Sequence, residues 1–209
     1  MKAKPQIFII HGGQTFRHRK EYLKYLETRP VSLQKSQDWK REYLDKELGK
    51  KFEIIRPDFP LADNAVYSDW KIHFERYIPL LRNNLVLIGN SLGGIFLAQY
   101  LSENTFPKKI KAVFLVAPPF DDTCFSGALV GGFKLGKDLS LFARQTKKIT
   151  LFFSKDDDAI PVTHSEKYKQ ALTSADIIVF KSKNGHFRIA RFPEIVTMIK
   201  ALYYGNGSQ

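Results

Sequence analysis

The chain has 209 residues, 44% hydrophobic, 13% aromatic and 26% charged, a composition that can bury a sizeable core and excludes a disordered or collagen-like polypeptide. Its length fits one large domain rather than two, so a single domain over 1–209 is expected. Thirty-three Lys and Arg against 21 Asp and Glu give a formal charge of +12, which raises nucleic acid or an anionic surface as a partner until the location of the charge is checked. The excess is local: residues 1–51 carry 13 basic against 6 acidic side chains and 107–148 carry 8 against 3, while 52–106 carry 4 against 6. No nucleic-acid-binding motif accompanies it, so no nucleic-acid partner is expected. One cysteine, Cys124, permits no internal disulfide, and the expected location is cytoplasmic. Ile7–Ile10 is too short an apolar run for a signal peptide, and no run reaches the about 18 residues of a membrane span.

In chain order, Ile7 to Ile10 reads as a strand buried on both faces and closed by Gly12 and Gly13. From Thr15 to Leu48 the chain is charged and helix-prone. Tyr22, Leu23 and Leu26 fall on one helix face, Arg29-Pro30 breaks the pattern, and Trp39, Tyr43, Leu44 and Leu48 fall on a second. Residues 50–56 form a second strand, stopped by Pro57 and Pro60. Residues 66–81 read as a helix. Leu85 to Gly89 is the strongest strand signal and leads through Asn90-Ser91 into a buried helix over 92–102.

Three more strands are expected at 112–117, 149–153 and 176–180, with a last helix at 193–203. Strands alternating with helices imply βαβ units: an α/β fold, here a three-layer αβα sandwich around a doubly wound, mostly parallel six-stranded sheet. Residues 118–148 are too long for an ordinary connection and hold scattered glycines and prolines. They are expected to form a partly helical lid over one end of the sheet, with Phe120, Phe125, Leu129, Phe133, Leu135, Leu139 and Phe142 lining an acyl pocket or packing as the lid's own core. The tail from Gly205 to Gln209 is expected to fray.

Gly89-Asn90-Ser91-Leu92-Gly93 has the spacing of a nucleophile elbow. A serine at the tip of a sharp strand-to-helix turn is strained, and its neighbours two positions away must be small for strand and helix to approach. The bare pattern arises by chance in roughly one such chain in twenty, so its position after a strand and before a buried helix is what gives it weight. A hydroxyl needs a base, and on this kind of sheet the acid and then the histidine follow the serine. Of five histidines only His164 and His186 follow Ser91. His164 is expected at a helix start as a solvated surface residue. His186, in a loop between the last strand and the last helix, is the candidate base.

The acid is expected in the loop after the strand at 149–153, within Asp156-Asp157-Asp158. Three adjacent carboxylates repel, so at most one is expected in the site while the others stay in water or cap a helix. Spacing from Pro161 favours Asp157, then Asp156. Asp121 and Asp122 are the alternative. Cys124 lacks an elbow context and is expected to be a packed residue. Arg17, His18, Arg19 and Lys20 either attract an anionic substrate or form a solvated face.

His11-Gly12-Gly13 after the first strand, Gly89-x-Ser91-x-Gly93, Asp157-x-x-Ile160-Pro161 and Gly185-His186 together resemble the α/β-hydrolase-fold serine hydrolases. The resemblance runs from Ile7 to about Tyr203. Length and the Ser154-Lys155-Asp156-Asp157 run look most like the small intracellular hydrolases of the retinoblastoma-binding-protein type. It implies Ser91 as nucleophile, His186 as general acid and base, Asp157 as the residue holding the imidazole tautomer, and an oxyanion hole of the Gly13 and Leu92 amides. It also implies a small-molecule acyl substrate, cleavage of a carboxylic ester or thioester, and no metal or cofactor. The alternative is a protein-binding module that keeps the fold and not the chemistry. With six residues before Ile7, the family's opening hairpin is expected to be missing. The second strand should then lie outside the first, the serine strand on its other side, and the elbow at the switch point. Thr15 to Lys51 is longer and more basic than the family pattern needs.

Overall fold

The structure, a computed structural model, describes residues 3–33, 38–125 and 127–205. Six strands form one sheet: β1 (Gln6–Ile10), β2 (Glu53–Ile55), β3 (Leu85–Asn90), β4 (Ile110–Val116), β5 (Ile149–Ser154) and β6 (Asp176–Phe180). Their order is β2-β1-β3-β4-β5-β6 and every pairing is parallel, so the expected "mostly parallel" becomes wholly parallel among the described residues. The chain steps from β1 outward to β2 and then returns to β1's other side with β3, which opens the crevice of an α/β sheet above the C-terminal ends of β1 and β3.

Alternation along each strand divides the core in two. Phe8, Ile10, Leu85, Leu87, Val113, Leu115, Leu151 and Phe153 face one layer, built by α3 (Tyr67–Tyr77), α4 (Leu92–Glu103), α5 (Ser140–Gln145) and α6 (His164–Ala171). Ile7, Ile9, Val86, Ile88, Phe114, Val116 and Phe152 face the other, built by a π-helical turn (Trp39–Tyr43) running into α2 (Leu44–Leu48), and by α7 (Pro193–Tyr204). α4 has every residue from Leu92 to Leu101 buried, each large apolar side chain contributing about 1.5–3 kcal/mol by leaving water. The elbow is therefore seated on the most buried of the described helices.

Three expectations shift. β2 is three residues, since Pro57 offers no donor to prolong the ladder. The helix expected over 66–81 stops at Tyr77 and tightens into a 3-10 turn, Ile78–Leu80, around Pro79. α1 (Arg19–Thr28) forms but buries no residue: Tyr22 and Tyr25, not Leu23 and Leu26, turn inward, with ring centroids 5.5 and 5.2 Å from Phe16. Leu23 and Leu26 stay 42% and 37% exposed. Trp39, Leu44 and Leu48 are buried as their spacing requires.

Within the expected partly helical stretch 118–148, α5 is the helix, and the described residues of 118–139 carry none. They are tied down by polar contacts instead: Thr15 Oγ1 bonds Ala128 O and accepts from Val130 N (3.0 Å), Tyr67 N donates to Gly131 O (2.8 Å), and Gln99 Oε1 accepts from Lys134 N (2.9 Å). Phe133, Leu139 and Phe142 sit in the core with α3 and α4, and Phe125 is 69% exposed. Of the expected frayed tail, residues 206–209 lie outside the described residues. No helix among the described residues is long and apolar enough to cross a membrane.

Candidate active site

Ser91 sits at φ 53°, ψ −119° between β3 and α4, a conformation that costs a non-glycine residue of order 1–3 kcal/mol and persists only where the surroundings enforce it. They do so closely. Ser91 N donates to Val116 O on β4 at 2.8 Å. A Cβ at Gly89 would stand 2.4 Å from Gly93 O, and one at Gly93 would stand 2.5 Å from Ile10 O and His11 O. Only hydrogen fits where β3, α4 and β1 converge, which gives the spacing read in the sequence its physical reason.

The Gly12-Gly13 turn after β1 lies against this elbow, with a notional Cβ of Gly12 3.2 Å from Ser91 Cβ. Two backbone bonds, Gln14 N to Ala62 O and Ala65 N to Gln14 O, both 2.8 Å, fix the loop from outside. His11 fixes it from within. Its Nε2 accepts from Phe59 N at 2.8 Å, so in the neutral ring Nδ1 carries the proton and donates to Gly12 O at 2.6 Å. As the first helical residue of α4, Leu92 has an N–H with no partner within the helix. Neither it nor Gly13 N–H meets an acceptor among the described residues, so both are available to a developing negative charge.

Asp157 and His186 come together from the loops after β5 and β6. His186 Nδ1 lies 2.9 Å from Asp157 Oδ2 and 3.0 Å from Oδ1. The carboxylate only accepts, so Nδ1 carries the proton and Nε2 keeps its lone pair, the tautomer a general base needs. Asp157 is 6% exposed and takes the N–H groups of Ala159 (2.9 Å) and Ile160 (2.8 Å) as well. Ser91 and His186 line one cavity of about 440 Å³ together with Gly13 and Leu92. No hydrogen bond joins Ser91 to His186 among the described residues, a separation usual before a substrate draws the two groups in.

The remaining sequence candidates fall elsewhere, one of them against expectation. His164 is fully buried, not a surface residue. Its Nδ1 accepts from Phe120 N (2.8 Å) and its Nε2 contacts Thr123 Oγ1 (3.0 Å), so it props the 118–123 segment. Burial, first, pushes its pKa below the ordinary histidine value. The aspartates flanking Asp157 are exposed, as expected, and are hydrogen-bonded as well. Asp156 accepts from Ser154, Ser182, Lys183 N and Gly185 N, and Asp158 pairs with Arg188. Asp121 is held by Lys167 Nζ (2.7 and 2.9 Å) and Asp122 by Arg17, so neither serves His186.

Arg19 and Lys20 belong to a solvated face. Cys124 is half-buried in the cavity wall, where burial and then the nearby Asp122 and Asp121 charges push its thiol up to about 11, far from a thiolate at neutral pH. Of the apolar residues expected to line an acyl pocket, Leu129 does. Tyr25, Asp63, Ile160 and Arg188 also line it. Ile160 belongs to the Asp157-x-x-Ile160-Pro161 motif; sequence reasoning missed the other three because α1, the turn after β2 and the base loop carry no motif that says they converge.

Residues 33–197 match the family model described as serine hydrolase. The fold is similar to the ydeN gene product of Bacillus subtilis, 19% identical over 96% of this chain and 99% of that one, with TM-score 0.72. It is also similar to 2-hydroxy-6-oxo-6-phenylhexa-2,4-dienoate hydrolase of Rhodococcus (13%, 96% and 90% covered, TM-score 0.64) and to mouse alpha/beta hydrolase domain-containing protein 10 (14%, 97% and 91%, 0.61). At these identities the likeness is one of fold. Comparison with the curated proteins gave no match.

Proposed function

The chain belongs to the serine hydrolase family, and from that premise we propose that it cleaves a carboxylic ester or thioester of a small molecule through an acyl-enzyme. Ser91 Oγ attacks the acyl carbon as His186 Nε2 takes its proton. Asp157 holds the ring and steadies the imidazolium, and the N–H groups of Leu92 and Gly13 receive the oxyanion. His186 then gives the proton to the leaving group, and a water deprotonated by the same nitrogen releases the acid. The observation that carries this reading is the imidazole fixed by Asp157 in the same cavity as a strained serine. The cavity's volume suits a small acyl group, and residues 118–139 form its lid-like wall through Pro119, Cys124 and Leu129. A cytoplasmic location and the retinoblastoma-binding-protein affiliation belong to the same proposal. They are supported by the lone cysteine and by the Ser154-Lys155-Asp156-Asp157 run.

A second reading is a binding module of the same fold, which needs no hydrogen bond between Ser91 and His186. Labelling with a fluorophosphonate separates the two. Wild type is expected to label, Ser91→Ala not at all, and His186→Ala at a rate reduced by about 10⁴-fold. A folded wild-type protein that stays unlabelled rejects the enzyme. Esters and thioesters of matched acyl chains then decide the leaving group.

A further inference from the structure

The loop that carries His186 is an unusual piece of backbone. Asn184 (φ 55°), Gly185 (φ 68°) and Phe187 (φ 51°) are all left-handed, on both sides of the histidine. Phe187 meets a steric penalty there. Asn184 Nδ2 donating to Arg188 O (2.7 Å) and Phe187 N donating to Gly185 O (2.8 Å) brace the loop from within, and a further constraint acts from outside it. Gly185 cannot be replaced cheaply, because its φ of 68° strains any side-chain-bearing residue.

Three consecutive carboxylates on the facing loop supply the constraint, each gripping a successive point. Asp158 pairs with Arg188, and Asp157 takes His186 Nδ1. Asp156 takes the Ser182 hydroxyl, Lys183 N at 3.0 Å and Gly185 N at 3.1 Å, while the Ser154 hydroxyl at the end of β5 anchors it from behind. Both oxygens of Asp156 are used, and three of its four donors belong to residues 182–185. Its contacts begin on β5 and end one residue before the histidine.

We propose that Asp156 is a positioning residue for the hydrolase reaction: it sets the pose of His186 by clamping the left-handed turn that precedes it, without touching substrate. This rests on His186 acting as the base. Loss of the clamp would free the turn to relax toward right-handed backbone and swing the imidazole off Asp157, lowering turnover more than substrate binding. The four donors hold the Asp156 carboxyl well below the usual carboxylate range, the Ser154 and Ser182 hydroxyls foremost, so the clamp is charged at neutral pH.

The test combines ester hydrolysis with proton NMR of the downfield Nδ1–H that His186 donates to Asp157. Asp156→Ala is expected to lower kcat about ten- to hundredfold with KM changed less than about threefold, and to broaden or erase the downfield resonance. Ser182→Ala, which removes one donor, is expected to lower kcat about two- to fivefold and decides the matter if Asp156→Ala does not fold. Ile78→Val, a buried truncation at the opposite end of the sheet, controls for stability: it should lower Tm and leave kcat and the resonance unchanged. A folded Asp156→Ala, or failing that Ser182→Ala, with wild-type kcat and an intact resonance overturns the proposal. If wild type hydrolyses and labels nothing, the hydrolase reading fails instead. The resonance then shows by itself whether Asp156 sets the pose of His186.

Discussion

His164 and His186 stand 22 positions apart on the same side of Ser91 in the chain, and their surroundings give them opposite work. His186 keeps an open nitrogen in a cavity. His164 is sealed, its ring spent on Phe120 N and Thr123. Its pKa is lowered by burial, so between that value and the unfolded one near about 6.5 the unfolded chain binds the extra proton. Its contribution to stability is full above the unfolded pKa and is lost as pH falls toward the folded one. Urea unfolding should therefore show lower stability at pH 5 than at pH 7, and His164→Gln should shrink that difference; an equal difference in both proteins would remove His164 as its source. Sequence pattern could not separate a sealed histidine from a surface one, because what buries it is a loop 41 to 44 residues upstream.

Among the elements, α4 and α1 set the extremes of what an apolar pattern means. Every apolar residue of α4 is buried, and Leu97→Ala is expected to cost about 2–5 kcal/mol. Leu23→Gln on α1 should change stability by less than about 0.5 kcal/mol, because Leu23 is already wet. Urea midpoints for the two variants check the contrast, and a Leu23→Gln loss rivalling that of Leu97→Ala would mean that α1 is covered in solution. The same contrast explains what was legible. β3, the elbow and α4 are continuous in sequence, and Gly89 is required by its contact with Gly93 four residues on, so that part of the motif states its own geometry, while Gly93 is required by β1. The strand order followed from the βαβ rhythm and the family likeness. Residues 118–139 have no period because Thr15, Gln99 and Tyr67, distant in sequence, do the work that helical bonds do elsewhere. The run Asp156-Asp157-Asp158 was read as one acid with two solvated neighbours, since repulsion was visible in the letters and the donors of residues 182–188 were not.

For the molecule as a whole, the +12 charge falls on a surface whose charges at and near the cavity are largely paired. Asp63 is answered by Arg29, Asp158 by Arg188, and Arg17 by Asp122. Arg19 and Lys20 at the start of α1 remain exposed, and the field reaching the mouth is the unscreened remainder. An anionic ester should show a kcat/KM advantage over its neutral counterpart at low salt that closes by about 0.5 M salt. Equal salt dependence of the two would mean that the basic excess plays no part in capture. The strand order carries a different consequence, concerning time. β1, β3 and β4, which seat Ser91, are complete by residue 116, whereas His186 waits on β6 at the sheet's margin, 70 residues later. In a chain built from its first residue onward, the nucleophile's cradle can form while the base is still unmade. Under the proposed chemistry, every shorter nascent chain holds a serine that cannot yet act on the acyl groups around the ribosome.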